Sequence, residues 1–577
     1  MAEVLAQLNP GIALIAGALL FPLLPHVLRG AWAVVLPLLV GWHVFTLNAG
    51  DAGSLTLFGQ QLTTLRVDDL SRIFGLAFSL AALLVNVYAL HLKSPLEATA
   101  GTLYAGSALG AVFAGDFITL FTFWEISAIT SVFLIWSSGG ERAYATGMRY
   151  LIIQVMSGVI LLAGVMVHLN ATGSIDFKAF QAVTWETWHT VPLATWLILL
   201  AFAIKGAFPL LHTWLVDAYP EATPTGTVML SAFTTKLAVY ALARGFPGSD
   251  VLIAVGTVMA IFTLIYAVAE DDLRRVIAYA IINQIGFMVI AVGVGTPFAI
   301  GAAAAQASAS ILYKLLLLMA LGAVLLHTGT ARASQLGGLA RTMPWTAALC
   351  CIGALAISAP LFVGFLAKSL IFATVAKAGY ASVWAVLLLA SAGVFLVAGI
   401  KVTYAAFFAR PNTPGLDTRP ANTPPNMLAA MMLTALACVG IGVSPSAFFA
   451  LLPGDVTYEA FKLENVITKV QLLAFAALAF AIAWQRGWLT LSAPGRLLDT
   501  DWLYRRLGRD AVDAFYRGAG SAYTAFAGAI RDLGRHAGRI LAAVHQPETT
   551  LGGTTPTGAM AFWTTAVLAV LLVAFYV

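Results

Sequence analysis

The sequence predicts an all-α polytopic membrane protein, and three observations point to this class. Of the 577 residues, 60% are hydrophobic and 10% are charged, whereas soluble domains carry about 25% charged residues. The apolar residues gather in runs of about 20, the length that an α-helix needs to cross the hydrocarbon core of a bilayer. These runs are uniform and do not alternate with polar residues over short segments, which argues against a transmembrane β-barrel.

The 20-residue criterion divides the chain into about sixteen membrane helices. Between the second and third of them, the stretch SLTLFGQQLTTLRVDDLSRIF predicts a short hairpin outside the membrane. The three cysteines lie inside apolar runs and match no zinc, haem or iron–sulfur spacing, so we predict no metal site. The predicted spans lie near residues 11–28, 31–47, 70–91, 98–114, 117–137, 145–168, 193–215, 226–243, 250–268, 276–295, 299–326, 346–375, 382–408, 427–450, 466–485 and 558–577.

Positively charged residues concentrate in alternate loops, and this alternation predicts the orientation of the helices. Loops predicted to face inward carry Arg142, Arg274 and Arg332, whereas loops predicted to face outward are poor in cations and carry acids such as Asp176 and Glu464. The even number of spans then places both termini on the outer side of the cell's inner (plasma) membrane. The net charge of +5 is modest, and arginines that orient helices do not indicate nucleic-acid binding.

The stretch from residue 486 to 557 differs from the rest of the chain because it contains no 20-residue apolar run. It is rich in arginine and aromatic residues, and its apolar residues recur at helical spacing, as at Trp502 and Phe515. This pattern predicts an amphipathic helix on the inner membrane surface. Gly518 and Gly520 are expected to break that helix in two, and a final membrane helix follows.

Two lysines lie inside apolar runs that are long enough to span a bilayer, Lys205 in the seventh predicted helix and Lys236 in the eighth. A lysine at the centre of a membrane helix costs about 2.5–3.5 kcal/mol even on the lenient insertion scale, so it is retained mainly where it has a function. Pro209 follows Lys205 by one turn and interrupts the helix, and His212 comes next. Together these residues predict part of an ion pathway, because broken backbone at membrane depth lines a cavity or packs inside protein.

Further charged residues inside predicted spans include Glu125, Lys314, Lys368 and Lys401. A glutamate at this depth is either neutral or paired with a cation. Lys368 follows Pro360, which interrupts its own apolar run. Lys401 is either a further pathway residue or a cation that snorkels to the membrane surface.

The stretch KGAFPLLHTWLVDAYPEATPTGTVMLSAFTTK resembles a motif of the antiporter-like subunits that are shared by Mrp-type cation/proton antiporters, respiratory complex I and membrane-bound hydrogenases. The family pattern is close to K-x-x-x-P-x-x-H-x-W-L-P-D-A-x-x-x-A-P-T followed by a second lysine, and Val216 departs from it where the family usually has proline. The stretches EDDLRRVIAYAIINQIGFMVIAVG and ISAPLFVGFLAKSLIF resemble two further family motifs. The matching positions of the first motif are Lys205, Pro209, His212, Trp214, Leu215, Asp217, Ala218, Ala222, Pro224, Thr225 and Lys236.

The resemblance implies roles for these residues. It places Glu125 beside Lys205 as an ion pair and makes His212 and Lys314 intermediates on a route that ends at Lys368. Ser310 stands where the family usually has a histidine, so it is a possible additional pathway position, as is Lys401. Because burial disfavours the charged ammonium, each lysine can take up and release a proton as neighbouring charges move. The predicted proton pathway is therefore Glu125, Lys205, His212, Lys236, Lys314 and Lys368, linked by water.

The resemblance also implies an inverted repeat of two five-helix units, each with one helix that is broken at a proline, Pro209 or Pro360. The amphipathic segment 486–557 is expected to be an anchor that lies on the membrane surface. The alternative is a brace against a neighbouring subunit, since the segment resembles the lateral helix of the largest antiporter-like subunit of complex I. The resulting division is 1–97 for the N-terminal helices, 98–245 and 246–410 for the two repeats, 411–485 for peripheral helices, 486–557 for the amphipathic segment and 558–577 for the final helix.

The expected function is that of a subunit of a multisubunit Na⁺/H⁺ antiporter of the Mrp type, similar to its D-type component. Its partners would be other membrane subunits, protons, monovalent cations and the lipid bilayer, with no cofactor and no catalysis of its own. The alternatives are a pumping subunit of complex I, of a membrane-bound hydrogenase or of an inorganic-carbon uptake complex. A receptor or a purely structural membrane protein is disfavoured, since neither needs several charges at mid-membrane depth.

Overall fold

The computed structural model describes residues 7–57, 59–410, 423–486, 499–546, 549 and 556–576. Parts of the two predicted segments that begin at residues 411 and 486 therefore lie outside the described residues. The chain forms two compact units, residues 1–497 and residues 498–577.

The first unit opens with two helices, a hairpin and two more helices. Asn9 caps the first helix, because its side chain accepts a hydrogen bond from the Gly11 N–H. The predicted hairpin is confirmed as a pair of antiparallel strands. Asp68 caps the helix that follows, through a capping box with Ser71. These elements are α1 Pro10–Ala18, α2 His26–Thr46, β1 Gly50–Leu57, β2 Gln60–Val67, α3 Asp69–Ala89 and α4 Pro95–Val112.

The next six helices contain the first predicted break. The seventh helix ends at Lys205 and the eighth begins only at Thr213. The ninth and tenth helices form one span that is interrupted at Phe233, whose φ of −109° and ψ of −64° depart from helical values. These elements are α5 Phe117–Trp136, α6 Gly140–Thr172, α7 Leu193–Lys205, α8 Thr213–Glu221, α9 Pro224–Ala232 and α10 Thr234–Gly245.

The rest of the first unit contains the second predicted break, which separates α14 from α15. Beyond it, α16 continues into two π-helical stretches, Phe395–Lys401 and Tyr404–Phe408. The elements are α11 Asp250–Ala269, α12 Leu273–Val294, α13 Pro297–Thr328, α14 Pro344–Leu355, α15 Val363–Lys377, α16 Ala381–Val394, α17 Pro425–Val443, α18 Pro445–Phe449 and α19 Leu463–Gln485.

Both predicted helix breaks are present, and their backbones share a turn, although Ala207 in the first break also has a positive φ of 56°. Each non-helical stretch is seven residues long. In each, the proline is followed by a leucine in the left-handed region, Leu210 with φ 71° after Pro209 and Leu361 with φ 70° after Pro360. Residues other than glycine rarely adopt positive φ, because Cβ then crowds the carbonyl oxygen. The recurrence of this strained turn supports a repeat of the same unit in the two halves.

Twelve of the described helices are long and apolar enough to cross a membrane, and this confirms the predicted all-α polytopic class. The four other predicted spans correspond to α1 and α4 and to the two broken pairs, α7–α8 and α14–α15, whose pieces are short or less apolar. The α9–α10 span and α12 are buried along their whole apolar windows, so they form the core of the first unit.

The second unit contains two helices, α20 Asp501–Val544 and α21 Thr557–Tyr576. The amphipathic helix predicted here is confirmed, and α21 is long and apolar enough to cross a membrane. The expected break at Gly518 and Gly520 is wrong, because α20 continues through both residues over 44 residues. A glycine inside a helix costs about 1 kcal/mol relative to alanine, which the helical residues on either side can offset.

Candidate functional site

Four of the predicted pathway lysines lie inside the protein, and we call them the lysine row: Lys205, Lys236, Lys314 and Lys368. Each side chain is at most 1% exposed. A buried ammonium is stable only if oxygen atoms or π faces replace the water that it loses. The surroundings of each ammonium therefore show what the site can do.

Lys205 is the last residue of α7, at the start of the first break. Its Nζ donates hydrogen bonds to the Trp124 carbonyl and to Ser127 Oγ, both at 2.9 Å. The same Nζ lies 4.2 Å from the centroid of the Trp124 ring, in the geometry of a cation–π contact. That indole is fixed in place because its Nε1–H donates to Ser157 Oγ, which in turn donates to the Ala201 carbonyl. The ammonium is thus held by neutral groups on α5.

Glu125 follows Trp124 on α5, and its carboxylate and the Lys205 ammonium interact electrostatically. Among the described residues, however, the two side chains form no direct ion pair, and Glu125 Oε1 has no hydrogen-bond partner. The carboxyl group points at Gly158 of α6, where a Cβ atom would overlap Oε1. The structure thus brings Glu125 near Lys205, and the predicted pairing of their charges stays a prediction.

His212 is buried at the end of the first break, immediately before α8. Its ring lies 4.8 Å from the Phe262 ring and 6.5 Å from the Tyr279 ring, measured between centroids. Across the break, Trp214 Nε1 donates to the Ile204 carbonyl, which also accepts a hydrogen bond from the Ala207 N–H. The indole of α8 therefore ties the two helix pieces together next to Lys205.

Lys236 lies beside the interruption at Phe233. Its Nζ donates to the Ser231 carbonyl at 2.7 Å, an acceptor on the other side of the interruption. The N–H of Thr234 donates to the Tyr104 hydroxyl at 2.9 Å. A tyrosine of α4 and the lysine itself thus satisfy backbone groups that an unbroken helix would pair internally. This interruption could not be predicted from the sequence, because no proline marks it.

Lys314 lies on α13, close to the centre of the row. Among the described residues its Nζ has no hydrogen-bond partner, and it lies 5.8 Å from the centroid of the neighbouring Tyr313 ring. Its charge interacts with that of Lys236. Ser310, one turn earlier, donates its hydroxyl to the Ala307 carbonyl and is buried. An ammonium without a protein acceptor is a position where water is expected to bind.

Lys368 lies on α15, just after the second break. Its Nζ donates to Ser358 Oγ at 2.6 Å and to Ser391 Oγ at 3.3 Å. Ser358 belongs to the non-helical stretch around Pro360, so this break supplies an acceptor for the ammonium. The Phe287 ring centroid lies 5.7 Å from Nζ, and the charge of Lys314 interacts with that of Lys368.

Lys401 is buried but lies apart from these contacts. Its Nζ donates to the carbonyls of Ala267, Val268 and Glu270, at 3.3, 2.7 and 2.7 Å. These carbonyls are at the C-terminal end of α11, where the helix leaves its last acceptors open and its dipole favours a cation. This geometry suits a helix cap, and it gives no support to snorkelling toward the membrane surface.

A cluster of buried amides between α12 and α13 was not predicted from the sequence. Gln306 Nε2 donates to Gln284 Oε1 at 2.7 Å and to the Tyr313 hydroxyl at 3.1 Å. The Tyr313 hydroxyl also donates to Gln284 Oε1, at 3.0 Å. Gln284 belongs to the motif EDDLRRVIAYAIINQIGFMVIAVG, and its place in that motif was the one sequence feature that pointed to the cluster. The cluster provides polar groups beside Lys314. A second missed residue is Lys469 of α19, which is 5% exposed.

Taken together, the row allows charge to be passed along the first unit. Electrostatic interactions link Lys236 to Lys314 and Lys314 to Lys368, and α7, which carries Lys205, packs against α10, which carries Lys236. Protonation of one lysine disfavours protonation of the next, because like charges repel strongly in a low dielectric. Such a row can transfer protons from one lysine to the next where water molecules connect them.

Comparisons with known proteins are consistent with this geometry. Residues 114–397 match the family model described as NADH:quinone oxidoreductase/Mrp antiporter, TM. The chain is 31% identical to the N-type component of the NADH-quinone oxidoreductase of Desulforudis audaxviator, over 63% of this chain and 77% of that protein. It is 29% identical to the D-type component of the Na(+)/H(+) antiporter of Alkalihalophilus pseudofirmus, over 45% of this chain and 55% of that protein.

A third relative is hydrogenase-4 component B of Escherichia coli, which is 26% identical over 66% of this chain and 62% of that protein. The chain thus spans less than two thirds of the length of several curated relatives. Its fold matches a chain of the Mrp complex from Dietzia sp. DQ12-45-1b, with a TM-score of 0.68 and 21% identity, over 84% of this chain and all of that one. The chain therefore belongs to the NADH:quinone oxidoreductase/Mrp antiporter family of membrane proteins.

Proposed function

We propose that this chain is a proton-conducting subunit of a multisubunit antiporter that exchanges a monovalent cation, Na⁺ in the first instance, for protons. The observation that carries the proposal is the lysine row, in which four buried ammonium groups cross the first unit. Structural lysines of a membrane bundle would not need to be repeated in this way, because each adds an insertion cost.

In this proposal Glu125 and Lys205 form the first site, and His212, Lys236 and Lys314 carry protons onward to Lys368. The break at Pro360 supplies the Ser358 hydroxyl to Lys368, and the interruption at Phe233 supplies the Ser231 carbonyl to Lys236. Ser310 lines the route beside Lys314, whereas Lys401 lies apart from the route and serves as a helix cap. The chain has no catalytic role, and its partners are the other membrane subunits of the complex.

The relative named as a component of a Na(+)/H(+) antiporter supports the antiporter function for this chain. The cation-rich inner loops support a location in the inner (plasma) membrane with both termini on the outer side. The amphipathic helix α20 of the second unit is proposed to lie on the inner membrane surface.

Everted membrane vesicles that contain the complete complex test this function. A pH gradient is built up by respiration, and the recovery of acridine-orange fluorescence is followed after addition of NaCl, KCl or choline chloride. We expect NaCl-dependent recovery that Lys368→Ala abolishes while the complex still assembles. Lys368→Glu is not expected to restore full activity, because the sign of the charge at the end of the row is inverted. Lys377→Ala, at the exposed end of the same helix, is the matched control.

A pumping subunit of a redox complex is the second candidate, because relatives named as a component of NADH-quinone oxidoreductase and a component of hydrogenase-4 match the chain. In that case, oxidation of NADH or hydrogen would itself acidify the vesicles, and added Na⁺ would have no effect. Absence of cation-dependent recovery in vesicles with the assembled wild-type complex would overturn the antiporter proposal.

A further inference from the structure

The helix α19 buries a lysine that the lysine row does not include. Within the described chain only three of its side chains are buried, Lys469, Ala476 and Phe480. Their spacing places them on one face of the helix, and the rest of the helix is largely exposed. The one strongly polar member of this inward face is thus a cation.

The alternative to a buried ammonium is that the Lys469 side chain extends to the membrane surface. Lys469 lies six residues after the first residue of α19, about 9 Å along the helix, so its long side chain could reach the polar region. It is nevertheless only 5% exposed. Lys462, two turns earlier and on the same face, shows the surface case, because its side chain is 65% exposed and pairs with Glu459 at 3.4 Å.

The buried ammonium of Lys469 connects directly to the end of the row. Its Nζ lies 3.4 Å from the centroid of the Phe372 ring, and Phe372 is one turn beyond Lys368 on α15. The Phe372 ring also contacts that of Phe287, at 6.5 Å between centroids, and Phe287 faces Lys368. The charges of Lys368 and Lys469 interact. The rings of Phe287 and Phe372 thus connect the surroundings of the two ammonium groups.

We propose that Lys469 is a further proton-carrying site, which receives the proton from Lys368 and extends the pathway into α19. This rests on the proposed function. In the step, the Lys368 ammonium releases a proton through water to the neutral Lys469 amine, so that Lys368 becomes the amine and Lys469 the ammonium. The face of the Phe372 ring stabilises Lys469 in its charged form. The proton then leaves toward the end of the membrane where α19 begins.

The test compares Lys469→Met with Lys462→Met in the same vesicle assay of the complete complex. We expect the first change to lower cation-dependent proton flux at least tenfold and the second to leave it within twofold of wild type. Methionine preserves the length and the apolar stem of lysine, so that a loss of flux reports on the charge.

A rescue experiment separates charge from packing. Lys469→Cys is treated with 2-aminoethyl methanethiosulfonate, which attaches an amine, or with methyl methanethiosulfonate, which attaches a neutral methylthio group. We expect only the amine to restore flux, and the treated wild type, which contains three cysteines, is the control. Restoration by both reagents or by neither, in assembled complex, would overturn the role of Lys469 as a proton carrier.

The result for Lys368→Ala distinguishes this inference from the function on which it rests. If Lys368→Ala is inactive and Lys469→Met transports normally, the pathway ends at Lys368 and the inference fails alone. If both variants transport normally, the proposed function of the row fails as well.

Discussion

Gly158 is the residue that gives the Glu125 carboxyl group its place between α5 and α6. A methyl group at this position would occupy the space of Oε1. The carboxyl group is the far end of a flexible side chain, so it can move aside at low energetic cost. Gly158 therefore acts on the site through the position of Glu125.

We expect Gly158→Ala to lower proton flux several-fold while the melting temperature of the detergent-solubilised complex changes little. The displaced carboxyl group would no longer lie at its distance from Lys205, and the charge interaction between them would change. Val159→Ala, at the adjacent position with an exposed side chain, is the control. Full flux in Gly158→Ala would show that the position of the Glu125 carboxyl group does not matter.

The second prediction at this scale concerns Glu125 and Lys205 as a unit. Glu125→Gln should leave the fold intact and cut flux sharply, and Glu125→Asp should keep partial activity because the charge survives at shorter reach. A double-mutant cycle with Glu125→Gln and Lys205→Ala measures their coupling. We expect the double variant to be hardly worse than either single one. Additive losses would contradict a joint role.

At the residue scale, the sequence predicts which charges are buried but not what holds them. Lys205, Lys236 and Lys368 could be identified because a cation in an apolar run is costly wherever the chain folds. Their acceptors could not, because the Trp124 carbonyl and Ser391 lie on other helices. The burial of Lys469 could not be predicted either, since it depends on Phe372, which lies 97 positions earlier in the chain.

At the scale of single elements, the ion pair between Asp68 and Arg244 fixes two helix ends to each other. Asp68 caps α3, and both of its carboxylate oxygens accept from Arg244 Nη2 at the end of α10, at 2.9 and 2.7 Å. Burial alone would raise the pKa of Asp68, but the charge and hydrogen bonds of Arg244, with the bonds from Ser71, lower it. The ionised form is therefore the one that stabilises the fold.

We expect Asp68→Asn to lower the stability of the complex by about 0.5–1 kcal/mol at neutral pH, since asparagine keeps the cap and removes only a partly exposed ion pair. A lowered pKa means that the contribution is present above the unfolded pKa of about 4 and is lost as pH falls through the folded value. Melting temperatures measured from pH 7 to pH 3 should therefore converge for variant and wild type. Asp69→Asn, whose side chain is 66% exposed, is the control and should have little effect.

A helix break can be predicted from the sequence when the residue that causes it lies at the break itself. The breaks at Pro209 and Pro360 were predicted because proline removes a backbone donor wherever it stands. The interruption at Phe233 was not, because Tyr104 from α4 stabilises it across 130 positions. The break expected at Gly518 and Gly520 failed for the opposite reason, since glycine weakens a helix but does not remove its hydrogen bonds.

At the scale of the whole molecule, orientation in the membrane remains a prediction. Engineered cysteines at exposed positions can test it, with Glu464→Cys at the start of α19 and Arg410→Cys after the π-helical stretches. A membrane-impermeant maleimide added to intact cells should label the first and not the second. Labelling of both after permeabilisation is the control for reactivity, and the reverse pattern in intact cells would invert the proposed topology.

The polytopic class and the order of the spans followed from the sequence because each helix must satisfy its own backbone in lipid. Twelve spans among the described helices could therefore be recognised one at a time. The packing of α9–α10 and α12 at the centre could not, because it depends on which apolar faces meet.

The acceptors of the lysine row have an electrical consequence. Carbonyl and hydroxyl oxygens keep the same charge whether or not the lysine beside them is protonated, so the net charge of the row rises by one with each proton that it holds. The row therefore accumulates positive charge inside the membrane as its lysines bind protons. Moving one elementary charge across the full membrane is worth about 2.3 kcal/mol per 100 mV. Membrane voltage, and not proton concentration alone, would therefore determine which lysines are charged at any moment.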